Sequence, residues 1–270
     1  MNEDLKIPNL ERLSVVVATI LLAFAITQFI QIPAGNSSVS LGGFIIPFNF
    51  NLSTIITISI AGMTASGVDW ILRDHPYLAG RTTIPHLLIP AITAWVQSVI
   101  LNNMADTPVK WIAFTVGGIF LLAVILAEYI VIFPEDYRKP IATALLTAFI
   151  YAMLLALLVA LDTTDQRLII SLPAVGLATG ILSMRVFQFQ SEQQWPLLPS
   201  MVCLLVTTQF SAALHYLPVS PLSHGLIILG ILYFTINFIL SLDRGVSTQR
   251  AVIESIIPLL LIWLVAIWIN

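Results

Sequence analysis

The sequence predicts an all-α fold: a polytopic helical membrane bundle of about nine transmembrane helices, N-terminus in the cytoplasm and C-terminus on the opposite side. Three observations predict it. Of 270 residues, 58% are hydrophobic and 9% charged, with a mean hydropathy of +0.97, far short of the charged quarter that a water-facing surface normally carries. Nine segments are long and apolar enough to cross a hydrocarbon layer about 30 Å thick. The basic residues then fall almost entirely in alternate gaps between those segments.

Taken in order, the predicted spans are 11–32, 51–72, 85–102, 111–133, 140–161, 168–187, 196–216, 221–242 and 251–269. The first has a long apolar run and no small-residue cleavage site, so it reads as a retained helix rather than a signal peptide. The second is rich in Ser, Thr and Gly, and the third is short and carries Pro85 and Pro90; these are the weakest two. Both are needed. With the N-terminus inside, nine basic residues (Lys6, Arg12, Arg73, Arg81, Arg138, Lys139, Arg185, Arg244 and Arg250) lie on the cytoplasmic side, against Lys110 and Arg167 on the other. Dropping either span would move every later loop across the membrane and destroy this positive-inside bias.

Pro85, Pro140 and Pro196 stand near span starts, where a missing amide hydrogen costs nothing. Trp70, Tyr77, Tyr137 and Trp195 mark the cytoplasmic interface, and Trp111, Tyr216 and Trp268 the outer one, as amphipathic rings should. The connection 33–50 contains the run Leu41-Gly42-Gly43-Phe44-Ile45-Ile46-Pro47-Phe48, too apolar for free solvation. It reads as an interfacial loop packed on its own protein, with a lid or partner contact as the rival. The short loops leave no room for an appended soluble domain, so residues 1–270 are expected to form one integral membrane domain.

Ionisable groups inside a bilayer are costly and mark candidate sites. Glu128 lies five residues before Phe133, roughly 7 Å inside the cytoplasmic end at 1.5 Å per residue. Arg185 occupies a comparable depth on the sixth span, Asp69 and Arg73 close the second there, and Glu254 opens the ninth. These five could form one buried polar cluster with Glu128 beside Arg185, serving a ligand, ion or proton. Snorkelling to the headgroups or structural pairing is the commoner fate of charges near helix ends.

His215 and His224 flank a short outer turn and are weak candidates for a cofactor. Two imidazoles without a nearby carboxylate or cysteine make a poor metal site, and a haem path would need a second pair at matched depth. His75 and His86 have no such partner. No metal or cofactor is therefore expected, and Cys203, in an apolar run, reads as core filler. Gly176 and Gly180 form a Gly-x-x-x-Gly pair, and Gly62, Ser66 and Gly67 thin the second span. Such surfaces let helices approach closely, more often inside one chain than across a homodimer seam.

Enzyme motifs for acyl transfer, zinc hydrolysis, phosphate cradling or dinucleotide binding are missing, and a net charge of -3 offers no nucleic-acid footprint. The stretch Gly67-Val68-Asp69-Trp70-Ile71-Leu72-Arg73-Asp74-His75-Pro76, followed by Ala127-Glu128-Tyr129, resembles a family of uncharacterised bacterial polytopic membrane proteins. That resemblance implies a bacterial cytoplasmic membrane, and it singles out Asp69, Arg73 and Glu128. Three functional readings follow. The first is a non-enzymatic module that binds or transports a small or lipid-like ligand through a polar site open to the cytoplasm. The others are an accessory subunit packed against another membrane complex and an intramembrane enzyme acting on lipid, which would need a paired carboxylate or histidine of perturbed pKa. The expected partners are the lipid bilayer and, for the second reading, other membrane subunits.

Overall fold

Alternating runs of apolar residues and short polar punctuation fold into nine helices among the described residues of a computed structural model, every one long and apolar enough to cross a membrane. The structure describes residues 8–29, 37–41, 44–48, 52–73, 75–78, 82–163, 168–191 and 195–270. Lys6, Arg81 and Arg167, three of the eleven basic residues that set the expected orientation, lie outside them, as does Asp74. The helices are α1 (Leu10–Phe29), α2 (Leu52–Leu72), α3 (Ile84–Asn103), α4 (Pro108–Val131), α5 (Lys139–Thr163), α6 (Leu168–Gln190), α7 (Leu197–Leu214), α8 (Pro221–Asp243) and α9 (Thr248–Ile269). The two weakest expectations, the second and third spans, are helices of 21 and 20 residues. Pro85 sits in the first turn of α3, where proline is tolerated, and the helix continues through Pro90.

The all-α expectation needs one addition. Between α1 and α2, β1 (Ser37–Leu41) and β2 (Phe44–Phe48) pair antiparallel, with Ser37 opposite Phe48 and Leu41 opposite Phe44. Gly42-Gly43 separates the strands in sequence, and two such residues suit a two-residue hairpin connection. Pairing the strands satisfies backbone groups that an irregular apolar loop would leave bare.

The 1–270 expanse falls into two compact units, Met1–Lys139 and Pro140–Asn270. In the first, Ile20 and Phe24 of α1, Val68, Ile71 and Leu72 of α2, and Leu121 and Ile125 of α4 form one buried cluster. Gly67 lets α2 press against Val16, since a Cβ there would stand 2.6 Å from Val16 Cγ1. The chain runs up and down. Arg12, at the start of α1, donates to the carbonyl of Trp70 near the end of α2 and lies over its ring. His75, just past α2, packs on Tyr129 and Phe133 at the end of α4.

In the second unit α6 packs on α7 and α8 on α9. Gly176 and Gly180 face Thr208 and Leu204 of α7, and the Thr207 hydroxyl donates to that of Thr179 at 3.1 Å. The Gly-x-x-x-Gly pair is thus an internal packing surface, as expected, and Cys203 is fully buried core. Across α8 and α9, Trp263 Nε1 donates to the Ile227 carbonyl and the Ser223 hydroxyl to that of Ala266. Small residues and interhelical hydrogen bonds replace the hydrophobic effect that lipid does not supply. Six of the seven ring markers are exposed: Trp70, Tyr137, Trp195, Trp111, Tyr216 and Trp268. Tyr77 differs, turning inward onto His75 and Phe133.

Candidate functional site

The chemistry of the first unit gathers where α2 and α4 end and α3 begins. Glu128, one turn from the end of α4, is 0% exposed. Its Oε2 lies 2.9 Å from Nδ1 of His86, in the first turn of α3. A span start and a span end 42 residues apart meet because α3 and α4 run antiparallel, and they give His86 a carboxylate neighbour that the sequence reading did not supply. Beside them His75 is 1% exposed, between Tyr129 at 4.7 Å and Phe133 at 4.3 Å between ring centres. Its Nδ1 accepts from the amide of Tyr77, while its buried Nε2 meets no hydrogen-bond partner among the described residues. Burial, with His86 nearby, pushes the His75 imidazole down to about 4, so it is neutral at ordinary pH.

Asp69 and Arg73 come together as the sequence indicates. Arg73 Nη2 lies 2.9 Å from Asp69 Oδ2 across one helical turn, and the arginine side chain is 71% exposed. The Thr83 hydroxyl donates to the other carboxylate oxygen at 2.6 Å, which ties α2 to the start of α3 and leaves Thr83 without its own cap hydrogen bond. Asp69 is therefore a satisfied structural acceptor at the rim. After α4, buried Asp136 holds Arg138 in a two-pronged pair, with Nη2 2.8 Å from Oδ2 and Nε 3.1 Å from Oδ1. That hydrogen bonding raises the arginine's pKa further.

Arg185 and Glu254 belong to the second unit. Arg185 is buried on α6, its Nη1 donating to Gln188 Oε1 at 2.9 Å and its guanidinium lying 4.5 Å from the Phe189 ring centre. Glu254 is exposed on α9 and paired with Arg250 one turn earlier at 2.7 Å; it is a solvated helix-face pair rather than part of a buried cluster. His215 and His224 do approach one cavity. Contrary to the expectation that no carboxylate attends them, Asp162 at the end of α5 lines the same space, its Oδ1 3.4 Å from His224 Nδ1. Among the described residues no three His, Cys, Asp or Glu side chains are grouped to hold a metal ion.

Glu128 lines neither of two cavities. One, of about 600 Å³, is at the far end of the first unit, lined by Phe29, Leu101, Trp111 and Phe114 with the Lys110–Asp106 pair at its edge. The other, of about 260 Å³, is the Asp162–His224 space.

Sequence reasoning missed the Glu128–His86 pair and the role of His75. The signal available was the clustering of His75 and His86 on either side of a predicted turn opposite Glu128 at matched depth.

These features define a multi-pass helical protein whose first unit holds a carboxylate and an imidazole in its interior. The chain belongs to the family described as a protein of unknown function, DUF5656, whose model matches residues 32–269. Both parts of the motif, around Asp69 and around Glu128, fall within that match. No curated protein and no solved structure matches the chain.

Proposed function

We propose that this protein is a non-enzymatic membrane module that binds or conducts a small solute, a proton or small cation first among them. Its site is the end of the first unit where Glu128 meets His86. In this reading the N-terminus is cytoplasmic, the site opens to the cytoplasm, and the membrane is a bacterial cytoplasmic membrane. The observation that carries it is the Glu128–His86 pair itself: a fully buried carboxylate 2.9 Å from an imidazole. Buried charge in a span is expensive, and it persists where a site needs it. The two groups can hold one proton between them, and protonation removes the negative charge that would retain a cation.

The test is reconstitution of the full chain in liposomes with a pH-sensitive dye trapped inside. An imposed gradient should relax faster than through empty liposomes, and Glu128→Gln, which keeps shape while removing charge, should slow that at least tenfold. Unchanged relaxation in a folded Glu128→Gln protein sinks the proposal.

A second reading has one observation in its favour. The α9 helix exposes Ile253, Ile257, Leu260, Leu261, Leu264 and Trp268, the broad apolar flank an accessory subunit would offer to another membrane protein. Native mass spectrometry after mild extraction discriminates the two: a stoichiometric co-purifying subunit, lost on Leu260→Lys, supports this reading and displaces the first.

A further inference from the structure

We propose that the end of the second unit bearing Asp162 and His224 binds a small organic ammonium: one positive charge on a short apolar body. The space is built by three helices. The end of α5 gives Leu158, Leu161 and Asp162, the first turns of α6 give Ser171 and Val175, the start of α8 gives His224, and His215 follows α7. A volume of about 260 Å³ is many times the ~15 Å³ that one water needs, so the space suits a molecule of several heavy atoms.

His224 points to an occupant. It is 5% exposed, and neither ring nitrogen has a hydrogen-bond partner among the described residues. The approach of Nδ1 to Asp162 at 3.4 Å is an electrostatic contact, too long for a good hydrogen bond. Buried polar atoms are almost always satisfied, and a ligand with N–H donors would satisfy the ring nitrogen that carries no hydrogen. Asp162 brings a carboxylate to the space. A monocation balances it, its N–H groups donating to the carboxylate and to the unprotonated nitrogen of His224. Leu158, Leu161 and Val175 then face its carbon chain. A metal ion fits less well, because Asp162, His215 and His224 line the space without being grouped so as to hold one.

This site shares no residue with the one proposed above and does not depend on it; it lies at the opposite end of α6 and α8 from the Arg244–Gln190 contact. The experiment uses the full chain in lipid nanodiscs near pH 7.5, with n-butylammonium as probe, n-butanol and butyrate as uncharged and anionic counterparts, and Zn²⁺ as the metal alternative. Binding is read by calorimetry and by the imidazole signals of ¹⁵N-histidine. Butylammonium should bind and shift the His224 resonance; butanol and butyrate should bind at least tenfold more weakly. Asp162→Asn, which keeps the shape of a partly exposed side chain, should weaken butylammonium about tenfold, and His224→Phe should weaken it as well. Equal binding of butanol, tighter binding of butyrate, a response to Zn²⁺ alone, or no binding at millimolar probe would each overturn the assignment.

Discussion

Glu128 and His86 illustrate how a buried pair differs from a surface one. Glu128 is sealed from solvent, so removing His86 takes away a partner that neither water nor headgroups can replace. His86→Leu should therefore cost about 3 kcal/mol or more, whereas Glu128→Leu combined with His86→Leu should recover most of that loss. Thermal denaturation of the three proteins in one detergent checks the ordering; a double variant no better than the single would show that the pair is not what balances Glu128. His75 gives a pH dependence of definite sign. Its folded pKa of about 4 lies below the ordinary 6.5, so the unfolded chain binds the proton more readily. His75 contributes its full stability above about pH 6.5, and loses it progressively as pH falls toward 4. In His75→Phe, which keeps an aromatic ring between Tyr129 and Phe133, the decline in melting temperature between those pH values should be shallower than in the native protein. The chemistry at this scale was only half legible. Asp69 and Arg73 are one turn apart, and their pairing follows from helical spacing alone. The partners of Glu128 and His224 come from other helices, so no local pattern announces them.

At the scale of the element, close approach rather than polarity decides which glycines matter. A Cβ on Gly67 would press on Val16, whose branched side chain has little room to turn, while Gly62 has nothing within 4 Å. Gly67→Ala should destabilise by about 1–3 kcal/mol. Gly62→Ala should be neutral or stabilise by up to about 1 kcal/mol, since alanine is the better helix former. The comparison is made by thermal unfolding of both variants, and equal effects would refute the α1–α2 contact as the cause. Helix positions were readable in advance because length and apolarity are local: the predicted 51–72 and 221–242 differ from α2 and α8 by a single residue at one end. The β1–β2 hairpin was not, because a run this apolar beside a membrane span suits an interfacial loop equally well, and strand pairing is not a local property.

For the whole molecule, parity carries the expectation. Four helices return the first unit to its starting side, and the contacts of Arg12 with Trp70 and of His75 with Phe133 place those ends together. Five helices leave the second unit's ends apart: Asn270 meets Ser220 at the start of α8, whereas Arg244 at its other end meets Gln190. Reporter fusions should accordingly put residue 1 and the 134–138 connection in the cytoplasm and Asn270 outside. A reporter that places both termini on one side would contradict the charge-based orientation.

The depth of Glu128 also bears on electricity. It lies three residues before the end of α4, about 5 Å along the helix, against a hydrocarbon thickness of about 30 Å. An ion reaching it from the near side would cross roughly one sixth of the membrane field. Since a full crossing is worth about 2.3 kcal/mol per elementary charge per 100 mV, loading this site would feel only about 0.4 kcal/mol per 100 mV. Occupancy should then follow the pH and composition of the adjoining solution and hardly respond to the voltage of the cell.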